Sequence, residues 1–140
     1  MTPLAAHAHV VVRTPGDAVI LVRRVRQGRV YYIVPGTEVL AGETPGVAAA
    51  RAAATELGIE VAIDEMVHAQ TFAGVDHFFF AASTNADLPQ GSAVPVPDHD
   101  DWELESELDG SYEIVQLQRR TILAHDVRPW ALARRIARAT

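Results

Sequence analysis

The segment that most constrains the fold is residues 35–59, PGTEVLAGETPGVAAARAAATELGI. Its first part is punctuated by glycine and predicts a loop, and its second part predicts a short helix. Thr44 is a good N-cap, and Pro45 fits the first helical position, where the missing N–H of proline costs no hydrogen bond. Alanine, the best helix former, dominates the helix, and Gly58 is the expected C′ residue. We therefore predict a helix from residue 45 to residue 57 that folds without a metal.

Apolar and β-branched runs on both sides of this helix predict strands. The predicted strands are residues 7–14, 17–25, 30–34, 60–69, 78–82 and, as a strand or an extended entry to a helix, 112–118. Residues 36–43 and 85–101 are predicted loops, and residues 98–109 are strongly acidic. A final helix is expected to start at Arg128-Pro129, and its apolar stripe comprises Trp130, Leu132, Ala133, Ile136 and Ala137.

This order of elements predicts the fold class. Strands come first, one helix is embedded among them, and another helix closes the chain. We expect an α/β (α+β) fold in which a mixed β-sheet is sandwiched between helices. A chain of 140 residues, 49% of them hydrophobic, is long enough to bury one core, so residues 1–140 are predicted to form a single domain.

Composition excludes several classes of function. The chain has no cysteine, which rules out disulfides, thiolate metal sites and a cysteine nucleophile. The net charge of −6 disfavours binding to a nucleic-acid polymer, because a phosphate backbone requires a basic surface. No apolar run approaches the ~20 residues that cross a bilayer, and the first residues do not resemble a signal peptide. We expect a cytoplasmic protein without a membrane partner, with a possible homodimer through an exposed strand or the closing helix.

The loop and helix contain a motif with fixed spacing. Glu43, Arg51, Glu56, Gly58 and Ile59 fall at matching positions of G-x5-E-x7-R-E-U-x-E-E-x-G-U, where U is a bulky aliphatic residue. This segment resembles the signature of the Nudix hydrolases, which cleave nucleoside diphosphates linked to another moiety. The flanking segments AVILVRRVRQGRVYYIVPG and DVRPWALARRIA are also similar to the family. The resemblance implies a Nudix-like fold and a nucleotide diphosphate derivative as the small-molecule substrate.

The match departs from the family pattern within the helix. Ala52 and Thr55 stand where the family has glutamates, Thr37 replaces the first glycine, and Ala53 takes the aliphatic position. In the family the helix glutamates bind magnesium or manganese and help to activate water. Only Glu56 of that trio is present here. A single carboxylate is a weak site for Mg²⁺ unless other oxygens join it.

The resemblance assigns roles to individual residues. Glu56 is the candidate catalytic carboxylate and the candidate ligand for Mg²⁺ or Mn²⁺. Glu43, or with less support Glu38, is expected to supply further oxygen ligands from the loop. Arg51 belongs to the same catalytic group, and we favour an ion pair with Glu43 that orients the loop over direct contact with substrate.

Four arginines in and around the turn between the predicted strands 17–25 and 30–34 are candidates for binding a diphosphate, because guanidinium forks suit phosphate oxygens. They are Arg23, Arg24, Arg26 and Arg29. Arg26 and Arg29 fit exposed turn charges better. Arg23 and Arg24 point in opposite directions along a strand, so at most one of them is expected to face a site.

Other residues are candidates for the work of the missing glutamates, although each is more simply a solvated charge. They are Asp76-His77, Glu103, Glu105, Glu107 and Glu113. His7 and His9 share one face of a strand, a spacing that suits metal, but no third ligand is evident. The leading hypothesis is a metal-dependent hydrolase of a nucleoside diphosphate linked to another moiety. The alternatives are a catalytically inactive nucleotide-binding or protein-interaction domain, and a structural dimer partner.

Overall fold

A computed structural model describes residues 6–84 and 110–138. The strands are β1 Ala6–Arg13, β2 Ala18–Arg26, β3 Arg29–Ile33, β4 Gly36–Glu38, β5 Ala62–Phe72, β6 Val75–Ser83, β7 Gly110–Gln118 and β8 Val127–Arg128. The helices are α1 Pro45–Ala52, which continues into a π-helical turn at Ala53–Leu57, and α2 Trp130–Arg138, which follows a 3-10 segment at Arg119–Ala124. The loop predicted at residues 85–101 and the acidic residues 98–109 lie outside the described residues.

The described strands form one mixed sheet in the order β5-β6-β1-β2-β3-β8, with β4 paired to β1 and β7 paired to β2. The β1–β6 and β3–β8 pairs are parallel, and the others are antiparallel. β1 pairs with β2 only at its C-terminal end, and its N-terminal half pairs with β4, with His9 opposite Gly36. This pairing places the start of the loop beside the first strand.

Each face of the sheet has its own apolar core, so the predicted mixed sheet between helices is confirmed. One core lies between the sheet and α1 and contains Ala8, Val10, Val12, Ile20, Ala48, Ala49, Ala53, Leu57, Ile59, Ala82 and Ile114. The other lies under α2 and contains Val11, Val19, Leu21, Val34, Phe79, Val115, Ile122, Val127, Leu132, Ala133 and Ile136. The alternation of β1 and β2 side chains separates the two cores.

The helical segment that starts at α1 begins and ends where its sequence predicts. The Thr44 hydroxyl accepts a 3.2 Å hydrogen bond from the Val47 N–H, and Pro45 is the first helical residue. Gly58 adopts the expected left-handed conformation, with φ of 68°. The helix extends to Leu57 as predicted, and its last turn, Ala53–Leu57, is π-helical. Leu57 is buried in the core between this helix and the sheet.

Two expectations need correction, and one alternative is settled. The predicted loop at residues 36–43 begins with strand β4, because β1 offers its backbone groups as partners there. Residues 112–118 belong to strand β7, which settles the alternative left open for them. Helix α2 begins at Trp130, and Trp130 is 53% exposed, so the buried stripe of this helix consists of Leu132, Ala133 and Ile136. Within the described residues, no helix is long and apolar enough to span a membrane.

The left-handed conformation of Gly58 makes a testable prediction. Gly58→Ala should lower the free energy of unfolding by about 1 kcal/mol, because a Cβ is disfavoured in this conformation although no atom lies within 4 Å to clash with it. Gly16→Ala is the matched control, since Gly16 has the same open surroundings without a left-handed φ. Urea denaturation of both variants measures the difference. Equal effects of the two substitutions would contradict this explanation.

Candidate functional site

An arginine on helix α1 holds the preceding loop. Arg51 donates from Nε to Glu43 Oε2 at 2.9 Å and from Nη2 to Glu43 Oε1 at 3.1 Å. The same Nη2 donates to the Glu38 carbonyl at 2.8 Å, and the Leu40 N–H donates to Glu43 Oε1 at 3.0 Å. The ion pair that we favoured for Arg51 and Glu43 is therefore present, and it closes the loop onto the helix.

The electrostatics of this pair keep both groups charged. The hydrogen bond from Arg51 lowers the pKa of Glu43, and the same bond raises the pKa of Arg51. The Glu43 side chain is 12% exposed and that of Arg51 is 31% exposed, so the two-point contact is partly shielded from water. A loop residue 8 positions before the arginine is thus fixed by charge as well as by hydrogen bonding.

The remaining helix glutamate is tied to the start of the loop. The Gly36 N–H donates to Glu56 Oε2 at 3.1 Å, across 20 residues of sequence. Glu56 comes from the π-helical turn, and Gly36 is the first residue of β4. The half-buried Glu56 carboxylate is therefore oriented by a backbone amide at the edge of the sheet.

The two positions that lack a glutamate have different surroundings. Ala52 is fully buried, with 0% of its surface exposed. Thr55 is exposed, and its hydroxyl donates to the Arg51 carbonyl at 3.0 Å. A carboxylate would be solvated at residue 55 and desolvated at residue 52.

The donor set fits a divalent cation only in part. Among residues 6–84 and 110–138, no group of three or more acidic or histidine side chains could hold a metal ion together. Both Glu43 oxygens already accept hydrogen bonds, and Glu56 Oε2 accepts one from the Gly36 N–H. Mg²⁺ is commonly held by one or two carboxylates together with substrate phosphates and water. The described residues form no all-protein cage, so a site of that kind would rely on substrate oxygens and water as well as on a carboxylate such as Glu56.

Arg23 and Arg24 lie on opposite faces of the sheet. Ile20 packs in the core under α1 and Leu21 in the core under α2, so strand alternation places Arg24 on the α1 face and Arg23 on the α2 face. Arg23 is opposite Glu113 in the β2–β7 pair. Arg26 and Arg29 are exposed at the turn, whereas the candidates Glu103, Glu105 and Glu107 lie outside the described residues.

Three histidines meet where β1 pairs with β6, an arrangement that the sequence analysis missed. Ring centroids are separated by 5.2 Å for His9 and His77, 5.3 Å for His7 and His77, and 6.4 Å for His7 and His9. The parallel register places His7 opposite His77 and His9 opposite Phe79. Nothing in the local sequence around His77 indicates this contact, because it depends on strand order.

Hydrogen bonding and burial determine the protonation state of His9, which contacts both of the other histidines. His9 Nδ1 lies 3.4 Å from the Val34 carbonyl, which can only accept, so Nδ1 carries the proton. His9 Nε2 then accepts from His77 Nδ1 at 3.0 Å. Burial, followed by the proximity of His77, lowers the pKa of His9 to about 4, and burial, followed by His7, lowers the pKa of His77. His9 is therefore neutral at pH 7.

A separate groove of about 1210 Å³ shares no lining residue with the loop or with Glu56. Four arginines contribute to its wall, namely Arg13, Arg119, Arg135 and Arg138. Asp17 pairs with Arg13 at 3.0 Å and with Arg119 at 2.9 Å, and Asp64 and Glu65 also line the groove. The groove therefore carries both signs of charge, and two of its arginines are paired with Asp17.

Comparison with known proteins decides the family. The family model of the NUDIX domain matches residues 3–126. This chain belongs to the NUDIX family. No curated protein matches the sequence.

Solved structures of NUDIX proteins share the fold. A NUDIX hydrolase from Nitrosomonas europaea has a TM-score of 0.67 at 17% identity, with 99% of this chain and 70% of that chain covered. A NUDIX-family hydrolase from Clostridium perfringens has a TM-score of 0.69 at 13% identity, with 97% of each chain covered. A MutT structure from work on Aliivibrio salmonicida and Vibrio cholerae has a TM-score of 0.66 at 12% identity, covering 95% of this chain and 96% of that one. At these identities the likeness shows the NUDIX fold alone.

The low pKa of His9 predicts a pH dependence of stability in this NUDIX domain. An unfolded histidine titrates near pH 6.5 and the folded His9 near pH 4, so the unfolded state binds the proton first as pH falls. The contribution of His9 to the free energy of unfolding is complete above pH 6.5. It falls by on the order of 3 kcal/mol as the pH is lowered to about 4.

Urea denaturation between pH 7 and pH 4 checks this expectation. His9→Gln removes this group and should reduce the pH dependence in that window, with the remaining slope arising in part from the lowered pKa of His77. An unchanged slope in His9→Gln would contradict the assignment.

Proposed function

We propose that this protein is a metal-dependent hydrolase that cleaves a nucleoside diphosphate linked to another moiety. Glu56 is the main protein ligand for Mg²⁺ or Mn²⁺ in this proposal. The observation that carries the proposal is the hydrogen bond from the Gly36 N–H to Glu56 Oε2, which holds the remaining helix glutamate at the loop. Membership of the NUDIX family supports the reaction class, because the family acts on small nucleotide derivatives and generally uses a divalent metal.

The residues around Glu56 prepare the site for an anionic substrate. The Arg51–Glu43 pair and the bond from Arg51 to the Glu38 carbonyl shape the loop. A shaped loop reduces the conformational entropy that is lost when substrate binds. Glu43 is thus assigned mainly to positioning, and the lone pair left on its Oε2 keeps it as a secondary candidate ligand.

Charge compensation has two sources in this proposal. A bound Mg²⁺ or Mn²⁺ would stabilise the negative charge that develops on phosphoryl oxygens and would lower the pKa of a coordinated water. Arg24 lies on the same face of the sheet as α1, so we assign it, in preference to Arg23, to the diphosphate. Its planar guanidinium suits two phosphate oxygens.

A second candidate function is nucleotide or protein binding without turnover. The complete burial of Ala52 favours it, because that position cannot hold a solvated carboxylate. The described residues also lack any group of three or more acidic or histidine side chains that could hold a metal ion. A homodimer and a cytoplasmic location stay predictions from the sequence.

Substitution of the remaining glutamate tests the proposed function. Glu56→Gln should lower kcat/KM by at least about 100-fold, because metal stabilisation of phosphoryl charge is worth several kcal/mol and each ~1.4 kcal/mol is a factor of ten. Product release is measured with a panel of nucleoside diphosphate derivatives at several Mg²⁺ and Mn²⁺ concentrations. Glu60→Gln, an exposed glutamate four residues further on, is the matched control.

The outcomes separate the two candidates. Metal-dependent turnover that disappears in Glu56→Gln and persists in Glu60→Gln supports hydrolysis. Tight nucleotide binding that needs no metal and gives no product supports the binding function. Turnover that is equal in Glu56→Gln and in the original protein would refute the role of Glu56.

The two positions that lack a glutamate predict opposite responses. Thr55→Glu should raise Mn²⁺ affinity with little change in stability, because residue 55 is exposed near Glu56. Ala52→Glu should lower the free energy of unfolding by several kcal/mol, because a carboxylate would enter a fully buried position. Calorimetric Mn²⁺ titration and thermal unfolding of both variants measure these effects. A stable Ala52→Glu variant with restored metal binding would show that the buried position opens readily.

A further inference from the structure

Gly36 has no room for a side chain. A Cβ at this position would lie 2.2 Å from His9 Nδ1 and 2.7 Å from His9 Cγ. The φ of Gly36 is outside the left-handed region, so its backbone conformation does not require glycine. The requirement is one of space, and the His9 ring fills that space.

The His9 ring is held on several sides. It stacks on Phe79 with centroids 4.4 Å apart and planes inclined by 13°. Its Nδ1 faces the Val34 carbonyl at 3.4 Å, and its Nε2 accepts from His77 at 3.0 Å. Moving the ring to admit a larger residue at position 36 would sacrifice these contacts. The ring is a fixed surface against which the backbone of residue 36 rests.

That backbone carries the amide that orients Glu56. The Gly36 N–H donates to Glu56 Oε2, and Val34, two residues earlier, is bonded to the same His9 ring. Pro35 between them has a fixed φ, which removes one degree of freedom from the intervening chain. The Val10 N–H also donates to the Pro35 carbonyl at 2.9 Å, so β1 holds the stretch from Val34 to Gly36 by its backbone as well as by the His9 ring, and the amide direction follows from both.

We propose that His9 is a positioning residue for Glu56. Its ring sets the place of the Gly36 amide, and that amide sets the direction of the carboxylate. His9 acts through the backbone and not through contact with substrate or metal. The consequence for metal affinity rests on the proposed function, whereas the consequence for the Gly36 amide does not.

The first test compares His9→Ala with Val11→Ala in the full-length protein. Val11 is buried two residues further along the same face of β1, so its truncation weakens the same core and leaves Gly36 untouched. His9→Ala should weaken Mn²⁺ binding by about tenfold or more, the size of effect typical when the partner of a metal ligand is removed. Val11→Ala should leave Mn²⁺ affinity within about twofold at equal or greater loss of stability.

A second readout does not depend on metal. In ¹H–¹⁵N spectra, the Gly36 amide of the original protein should shift when Glu56 is replaced by alanine, because their hydrogen bond is lost. His9→Ala should speed the exchange of the Gly36 amide with solvent, because the hydrogen bond to Glu56 is weakened, whereas Val11→Ala should leave that exchange rate unchanged. Unchanged exchange of the Gly36 amide in a folded His9→Ala protein would overturn the proposal.

A compensating substitution tests whether the His9 ring and residue 36 compete for the same space. Gly36→Ala should lower both the melting temperature and the Mn²⁺ affinity, because the new methyl group meets the His9 ring. Adding His9→Ala to Gly36→Ala should raise the melting temperature above that of the Gly36→Ala variant, because the methyl then has space. Gly46→Ala, whose Cβ would meet Phe80 at an ordinary 3.9 Å, is the matched control and should be tolerated.

The two proposals fail in different ways. If the original protein binds no Mn²⁺, the proposed function fails. The role of His9 is then still tested by the Gly36 amide measurement and by the melting temperatures of Gly36→Ala and the double variant. If the original protein binds Mn²⁺ and His9→Ala binds it equally well, the role of His9 is wrong and the proposed function stands. If the protein with both His9→Ala and Gly36→Ala is less stable than Gly36→Ala alone, the claim that the His9 ring excludes a side chain at residue 36 is wrong.

Discussion

The Arg51–Glu43 ion pair is the interaction on which the arrangement of the site depends. It joins helix α1 to the loop that precedes it, through two parallel hydrogen bonds of 2.9 and 3.1 Å. A third bond from Arg51 reaches the Glu38 carbonyl at the end of β4. Since β4 is paired with β1, the ion pair connects the helix to the sheet through the loop. This connection supports the relation between the Gly36 amide and the Glu56 carboxylate, which also bond directly to each other.

The side chains of Glu56 and His9 both contact residue 36, and they differ in charge. On one side Glu56 presents a carboxylate, and on the other side His9 presents a neutral ring, because burial lowers the pKa of His9 to about 4. The absence of a side chain at residue 36 is what allows both groups to approach the same backbone. The structure thus explains why a helix with one remaining glutamate keeps that carboxylate oriented, while the neighbouring Ala52 position is closed by packing.

The sequence predicts those features that are encoded locally. The N-cap at Thr44 and the left-handed Gly58 follow from residue type and position in the helix, and the ion pair between Arg51 and Glu43 was expected from the resemblance to the NUDIX family. The π-helical turn and strand β4 were not predicted, because each is determined by packing or pairing with residues distant in sequence. The contact of His77 with His9 depends on a parallel pairing of β1 with β6, which no local pattern reveals. The separation of Arg23 from Arg24 was predictable from strand alternation, but the face that belongs to α1 was not.

A crystal of the protein soaked with Mn²⁺ and a nucleotide diphosphate tests the central claim most directly, because Mn²⁺ scatters anomalously and marks its own position. We predict an anomalous peak within coordination distance of a Glu56 carboxylate oxygen, with the Gly36 N–H still bonded to that side chain. A peak at other residues, or a bound nucleotide with no Mn²⁺ at Glu56, would contradict the account.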